Sequence, residues 1–554
     1  MRLMPELLRD RADADPDGRA YTFLDDGERE GAQLTWGELD RRASALASRI
    51  AESAEPGARA LILCPPGLAF IPAFFGALRA RAIAVSAYPP RTGRSGIDPQ
   101  DRTLARLRAI AGDASPSVIL ATPALAQRAA AVTALVPELS GVAWIDIDGE
   151  SVSGADFRDT RIDAGAIAFL QYTSGSTAEP RGVMVTHANL VHNLADSQSL
   201  AGHDRTSASV SWLPVIHDMG LIQGVLQAAF SGFPAWLMSP AAFLQRPARW
   251  LRAISETGAT ISGGPNFAYE LCVRRVSEPE REGLDLRRWR LAFNGAEPIR
   301  QSTLDAFRDM FAPQGFDAGA FRPCYGLAEA TLLVSTGRGA TTACGHAAGG
   351  TDIRIVDPHT LRPAERGAPG EIWVAGPGVA AGYWKQPEAT RSTFDARIAG
   401  TGDGPFLRTG DLGILRDEGL HVTGRIKDVL IVRGIKHFPQ DIEGTVERAS
   451  PRVRAGCCAV FAMPGGDGDN VAVAAELESA GAALNEDEED TRDAVILDIR
   501  EAVGAAHGIQ VSAVALVAPG AIPKTTSGKL QRFLCREGLL NGRLTPLSFW
   551  AAAS

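Results

Sequence analysis

The most informative stretch of this sequence is YTSGSTAEPRG, residues Tyr172–Gly182. It follows an apolar run, residues 166–170, that is typical of a buried strand. Small hydroxyl residues around a glycine let the backbone approach an anion and donate N–H and O–H groups to it. Arg181 adds a permanent positive charge. The stretch therefore predicts an anion-binding loop, although composition alone leaves a plain linker open. It is not a Walker A loop, because no Gly-Lys-Ser/Thr follows.

Composition excludes several classes of protein. A chain of 554 residues predicts two or more domains. The net charge of −9 gives no electrostatic reason to bind nucleic acid or an anionic membrane. The seven cysteines are scattered without a CxxC pair, which favours reduced thiols over disulfides or zinc. Residues 1–15 lack an apolar segment, and the run at 68–78 is shorter than the roughly 20 residues that a membrane span needs. We expect a cytoplasmic protein without an integral membrane segment.

The order of apolar runs predicts an α/β fold. Residues 60–64, 69–79 and 82–87 read as strand, helix and strand, which favours parallel pairing. Residues 36–50 have helical spacing, with Thr35 as cap and Glu38 as its capping-box partner. The last 125 or so residues are typical of a smaller α/β unit. Its predicted strands are 459–462, 471–476 and 510–516, and its predicted helix is 494–506.

Further blocks follow the loop in a fixed order along the chain. They are WLPVIHDMG (212–220), GGPNF (263–267), NGAEP (294–298), YGLAEAT (325–331), LRTGDLG (407–413), GRIKD (424–428) and PKTTSGKLQR (523–532). Together with the loop, these blocks resemble the adenylate-forming superfamily. The ending AEPRG, the residue Ala328 and the block IHDMG are similar to the fatty acyl-AMP ligase branch of that superfamily.

The resemblance implies a division of the chain into two domains. A large multi-layer N-terminal domain, residues 1–425, is expected to hold the ATP and acyl sites. A small mobile α/β domain, residues 427–554, is expected to carry a catalytic lysine loop. The hinge is expected at 426–428, centred on Lys427.

The resemblance also assigns site residues. Lys529, Glu329 and His217 are expected to be catalytic, with Glu329 as the magnesium ligand; outside its block, His217 would read as a structural histidine. A carboxylate is a natural bidentate acceptor for two ribose hydroxyls, which is the role implied for Asp411. The residues expected to bind ATP or AMP are Thr173, Ser174, Gly175, Ser176, Thr177, Arg181, Asn294, Gly295, Ala296, Tyr325, Gly326, Asp411 and Arg425.

The implied activity has two steps. A fatty or related carboxylic acid reacts with MgATP to give acyl-AMP and pyrophosphate, and the acyl group then passes to the phosphopantetheine thiol of an acyl carrier protein. Such a ligase fits polyketide or lipopeptide biosynthesis, and a monomer is the default. The sequence does not fix the length of the acyl chain.

Two alternatives remain at this point. The first is a fatty acyl-CoA synthetase, because an insertion that the branch usually carries after its AEAT block is missing or trimmed to residues 336–343. The insertion is associated with discrimination against coenzyme A. The second is a non-catalytic lipid or nucleotide sensor. The joint presence of Glu329, Asp411, Arg425 and Lys529 argues against it.

Overall fold

The computed structural model describes most of the chain. The described residues are 1–93, 96–99, 101–149, 161–173, 180–433, 435–463, 470–479, 486–524 and 530–552. Contacts divide the chain into two compact units. The larger unit comprises Met1–Ala368, Ile372–Thr409 and Leu415–His421; the smaller comprises Pro369–Glu371, Gly410–Ile414 and Val422–Ser554. This division follows contacts and not motion, so the predicted hinge at 426–428 stays a prediction.

A six-stranded sheet of the larger unit carries the ends of the predicted anion-binding loop. Its strands, in spatial order, are Arg181–Thr186, Ile167–Thr173, Ile83–Ser86, Arg59–Leu63, Val118–Ala121 and Ala143–Asp146. The first pair is antiparallel and the others are parallel. The central strands are almost wholly buried, as expected for parallel strands covered on both faces. The predicted strand–helix–strand unit is confirmed as Arg59–Leu63, Phe70–Arg79 and Ile83–Ser86.

A nine-stranded sheet forms the second layer. Its strands, in spatial order, are His346–Ala347, Leu333–Thr336, Phe321–Gly326, Leu291–Asn294, Ile261–Gly264, Ser209–Ser211, Ala235–Met238, Arg19–Asp25 and Arg29–Thr35. The central strands are parallel and those at both edges are antiparallel. The carboxyl ends of the parallel strands therefore open on one side of this sheet, where α/β proteins bind ligands.

Helices pack on these sheets around an aromatic core. Trp250, Trp289 and Tyr269 are buried, and the two tryptophan rings meet edge to face at 5.3 Å. Each such side chain contributes about 3–5 kcal/mol against truncation to alanine. The α-helices are Met4–Ala14, Trp36–Ser53, Phe70–Arg79, Arg102–Ala114, Pro123–Ala126, Ala129–Leu135, His187–Ala201, Gln227–Ser231, Pro240–Gln245, Ala248–Thr257, Asn266–Arg275, Glu278–Arg281, Gln301–Phe311 and Pro387–Phe394. Within the described ranges, every helix is too short or too polar to span a bilayer.

The N-terminal cap predicted for helix Trp36–Ser53 is confirmed, but the capping box is not. The hydroxyl of Thr35 accepts from the N–H of Glu38 at 3.2 Å. The Glu38 carboxylate contacts Arg42, one turn further on, rather than the backbone of Thr35. An i,i+4 ion pair thus takes the carboxylate that a capping box would use.

The smaller unit has its own mixed sheet. Its strands, in spatial order, are Val453–Ala462, Val471–Leu477, Val511–Val517 and Ser548–Ala551, and Leu430–Val432 pairs with Ile435–His437 in a separate hairpin. Its helices are Pro439–Ala449, Glu486–His507 and Arg532–Leu540. The predicted strands are confirmed to within one residue, except that the first begins six residues earlier, and the predicted helix begins eight residues earlier, at Glu486.

A further sheet has four strands, in the order Asp352–Val356, Gly370–Ala375, Leu407–Arg416 and Gly419–Arg425. Two short strands, Thr92–Gly93 and Gly96–Ile97, form a small pair. The predicted α/β class is confirmed by the alternating helices and largely parallel sheets.

Candidate active site

The described ends of the predicted anion-binding loop meet at one sheet edge. Thr173 ends one strand, Arg181 begins the next, and the two residues are direct antiparallel partners. Strand Ile167–Thr173 is held from both sides: Gln171 donates to the carbonyl of Ile216 at 2.9 Å, and Arg106 to that of Tyr172 at 3.1 Å. The loop residues Ser174, Gly175, Ser176 and Thr177 lie outside the described residues.

His217 stands at the entrance to an unusual helix. Its Nδ1 lies 2.7 Å from the Asp218 carboxylate, and the N–H of Met219 donates to the same nitrogen at 3.4 Å. The π-helix Met219–Leu226 begins directly after this pair. A Cβ at Gly220 would lie 2.0 Å from the carbonyl oxygen of Pro214, so this turn requires glycine. π-Helical turns are frequent at functional sites because they redirect side chains.

A second group of predicted residues follows the carboxyl ends of two neighbouring parallel strands. Asn294 ends one strand and is fully buried, and Ala296 has a φ of +70°. A Cβ at Gly295 would lie 2.6 Å from the Cys324 sulfur. Only glycine permits this approach, so the ends of these two strands lie close together. Tyr325 is buried and Gly326 closes the second strand.

Glu329 lies in the short 3-10 turn Ala328–Ala330, directly after that strand. Its carbonyl accepts from the N–H of Ala380 at 2.9 Å, and its carboxylate accepts from the Tyr383 hydroxyl at 2.8 Å. The ring of Tyr383 lies beneath the Arg181 guanidinium, with 5.3 Å between Cζ and the ring centroid. Glu329 and Arg181, which are 148 positions apart in sequence, are thus joined through one tyrosine.

Tyr383 is a residue that the sequence analysis missed. Burial, with the nearby Glu329 carboxylate, raises the pKa of Tyr383, so its hydroxyl stays protonated and donates. It lies outside the blocks that carried the resemblance. The Gly-Tyr-Trp stretch at residues 382–384 was the available signal, and it gives no indication of a carboxylate partner.

In the smaller unit, Asp411 and Arg425 form an ion pair. The Arg425 Nε donates to Asp411 at 2.8 Å; the Asp411 side chain is buried and that of Arg425 is 57% exposed. The preceding Gly410 has a φ of +71°, and its N–H donates to the buried Glu371 at 3.2 Å. The two residues expected to contact ribose are therefore neighbours.

The base of the predicted lysine loop is closed within the same unit. Lys524 and Leu530 form an antiparallel bridge, and the Gln531 N–H donates to the carbonyl of Pro523 at 3.0 Å. Arg532 then donates to Glu443 at 2.6 and 2.7 Å and to Asp428 at 2.7 Å. Although burial opposes the charge, these carboxylates raise the pKa of Arg532. Lys529 lies outside the described residues.

Arg532 connects the base of the loop to the predicted hinge turn, residues 426–428. Asp428 closes the 3-10 turn Ile426–Asp428 that contains Lys427. A guanidinium that bridges two carboxylates holds them in a fixed geometry. The loop base, helix Pro439–Ala449 and the hinge turn are therefore tied together in the smaller unit.

The described residues are compatible with a magnesium ion that takes most of its ligands from the substrate and from water. Among them, no group of three or more His, Cys, Asp or Glu residues could hold a metal. Mg²⁺ at nucleotide sites keeps several waters and binds one or two carboxylates together with phosphate oxygens. The half-buried Glu329 meets that requirement.

Comparisons with known proteins show the family to which this chain belongs. The model of the AMP-binding enzyme family matches residues 8–384, and that of the Disco-interacting protein 2-like AMP domain matches residues 427–546. The chain is 42% identical over 573 residues to the medium-chain-fatty-acid–[acyl-carrier-protein] ligase JamA of Moorena producens, covering 97% of this chain and 95% of that one. It is 38% identical over 584 residues to the long-chain-fatty-acid–AMP ligase FadD26 of Mycobacterium marinum, with 97% of each chain covered.

A solved structure extends the likeness to three dimensions. It is the fatty acyl-adenylate ligase from L. pneumophila in complex with acyl adenylate and pyrophosphate. The TM-score is 0.73 at 37% identity, and the match covers 99% of this chain and 98% of that chain. The chain therefore belongs to the AMP-binding, adenylate-forming enzymes, in the fatty acyl-AMP ligase branch. The resemblance drawn from the sequence is confirmed, and with it the use of ATP.

Proposed function

We propose that this enzyme activates a fatty acid with MgATP as its acyl-adenylate and then passes the acyl group to the phosphopantetheine thiol of an acyl carrier protein. The observation that carries the first step is the arrangement in the larger unit. It places Arg181, at the end of the phosphate loop, over the tyrosine that binds Glu329. The support for the acceptor is the similarity to JamA, whose name specifies an acyl-carrier-protein ligase.

The first step joins two anions. The acid's carboxylate attacks the α-phosphorus, a P–O bond to pyrophosphate breaks, and pyrophosphate leaves with the electron pair. The protein has little covalent chemistry to perform in this step. Its main contributions are therefore to position the two reactants and to neutralise their charge. Arg181 and the loop would bind phosphate oxygens, and Glu329 would hold Mg²⁺, which supplies charge neutralisation when bound. His217 would line the site beside the acyl and phosphate groups.

The remaining predicted residues also have roles in binding the nucleotide and the acid. Asp411 and Arg425 would bind the ribose, and Lys529 would bridge the carboxylate and the α-phosphate. Thr173, Asn294, Gly295, Ala296, Tyr325 and Gly326 would line the nucleotide pocket. The second family model begins at residue 427, which supports a hinge at Lys427 between residues 1–425 and 427–554. We also propose that the enzyme works as a monomer in the cytoplasm, where ATP and carrier proteins are available.

A competition assay tests the acceptor. Purified enzyme, MgATP and a panel of short- to long-chain acids are offered coenzyme A and a phosphopantetheinylated carrier protein together. We expect acyl-carrier protein with little acyl-CoA by mass spectrometry. The link between strands Leu333–Thr336 and His346–Ala347 is only residues 337–345. The expected result would therefore show that rejection of coenzyme A does not need an insertion there; predominant acyl-CoA would contradict the proposed acceptor.

Asp411→Asn tests the ribose contact. A hydrogen bond to a charged group contributes about 1.5–3 kcal/mol, so we expect KM for ATP to rise about 10- to 100-fold in fatty-acid-dependent pyrophosphate exchange. KM for the acid should change little. Asp395→Asn is the control, because Asp395 is exposed and pairs only loosely with Arg397, at 3.4 Å. A loss of kcat with an unaltered KM for ATP would contradict the assigned contact.

A further inference from the structure

The segment that carries Tyr383 runs beside the strand that follows the phosphate loop. The N–H of Met184 donates to the carbonyl of Gly382, and that of Trp384 to the carbonyl of Gly182, both at 2.8 Å. The N–H of Tyr383 itself donates to the hydroxyl of Thr390 at 3.0 Å. The backbone at Tyr383 is therefore held by hydrogen bonds to the neighbouring strand and to Thr390.

The side chain of Tyr383 has little freedom. It is 6% exposed, and its ring meets Phe394 edge to face at 5.2 Å while Arg181 covers the ring at 5.3 Å. In this enclosure the hydroxyl reaches Glu329 Oε1 at 2.8 Å. The hydrogen bond is short, and the tyrosine that donates it is buried. A hydrogen bond in such surroundings fixes the orientation of the groups that it joins.

The same segment also fixes the backbone around Glu329. Ala380 donates to the Glu329 carbonyl at 2.9 Å, and the Thr331 hydroxyl donates to the carbonyl of Gly378 at 2.7 Å. Thr331 has a φ of +67°, a conformation that is costly for a β-branched residue and must be held by its surroundings. Residues 378–383 thus bind Glu329 through both its main chain and its carboxylate.

We propose that Tyr383 is a positioning residue for the magnesium site: its hydroxyl orients the Glu329 carboxylate toward the metal of MgATP. A carboxylate has about four acceptor positions, so one donated bond sets its plane and leaves capacity for a hard cation. Residues that hydrogen-bond a metal ligand set its orientation, and losing one weakens metal binding. The inference rests on the proposed function, which assigns Glu329 to magnesium.

Tyr383→Phe removes the hydroxyl and keeps the ring under Arg181. Calorimetry without fatty acid compares two titrations, MgATP and ATP with EDTA. We expect the Kd of MgATP to rise about 10- to 100-fold and that of metal-free ATP to stay unchanged. The Mg²⁺ midpoint for pyrophosphate exchange should move in the same direction. Tyr21→Phe is the control. Tyr21 is also buried, and its hydroxyl donates to the carbonyl of Val225 at 2.9 Å. Removal of that hydroxyl should change neither titration.

Three results would overturn the proposal. They are unchanged titrations, an equal weakening of MgATP and ATP, and a tighter MgATP complex, which would mean that the hydroxyl competes with the metal. Failure of the proposed function is a separate result. In that case the wild-type enzyme shows no fatty-acid-dependent pyrophosphate exchange, whereas Tyr383→Phe still weakens MgATP selectively.

Discussion

Lys529→Ala is expected to abolish nearly all acyl-adenylate formation while leaving transfer from supplied acyl-AMP largely intact. The lysine ammonium would bridge the acid's carboxylate and the α-phosphate, where negative charge accumulates as the bond forms. Removing one such preorganised group from a site typically costs about 100- to 1,000-fold in kcat. Transfer begins from a finished adenylate and does not need that charge. Fatty-acid-dependent pyrophosphate exchange measures the first step, and acylation of carrier protein from synthetic acyl-AMP measures the second.

Lys524→Ala is the matched control for this prediction. Lys524 stands at the base of the same loop, and its Nζ lies 3.1 Å from the sulfur of Cys457. Burial raises the pKa of that thiol despite the nearby ammonium, so the contact joins a cation to a neutral sulfur and its loss should cost little. If Lys529→Ala reduces both half-reactions by the same factor, or if Lys524→Ala matches it, the role assigned to Lys529 is wrong.

The sequence predicted the α/β class and several individual strands and helices, because the signals for these features are local. Apolar runs bounded by Gly, Ser and Pro locate the strands, and the described ends of the phosphate loop lie at the paired positions Thr173 and Arg181. The strands and helix of the smaller unit were predicted in the right places, although the first strand begins six residues earlier than predicted and the helix eight residues earlier. Such features depend on neighbours in sequence, where side-chain periodicity is informative.

Other features were beyond sequence reasoning because they depend on packing between distant segments. The bond from Tyr383 to Glu329 spans 54 positions and follows no spacing rule. The π-helix after Asp218 has an apolar pattern that does not separate it from an α-helix. The cap at Thr35 shows that sequence prediction has limits even within one helix, because Arg42 competes for the carboxylate of Glu38. Sequence therefore suggested which residues form the candidate site but not the contacts that hold their side chains.

Lys427→Pro is expected to spare acyl-adenylate formation and to block transfer to the carrier protein. Lys427 lies in the 3-10 turn Ile426–Asp428, and proline fixes φ near −65°, a value within the 3-10 range. A 3-10 turn can accept a φ that is fixed at this value. A rotation about residue 427, in contrast, requires φ to change. If the smaller unit turns about this hinge between the two half-reactions, proline prevents the second from following the first.

The ion pair between Arg532 and Asp428 makes this test sharper. Asp428 ends the hinge turn and is bound at 2.7 Å by the arginine that follows the lysine loop. A change of φ at residue 427 would therefore turn the loop base together with the hinge. Single-turnover mixing should show acyl-AMP accumulating on Lys427→Pro while acyl-carrier protein stays below a tenth of the wild-type level, about 1.4 kcal/mol of added barrier. Lys427→Ala, which leaves φ free, is the control and should transfer normally. Adenylation that falls in proportion to transfer would contradict a hinge at Lys427, because a hinge acts on the passage between the two states and not on the chemistry of the first.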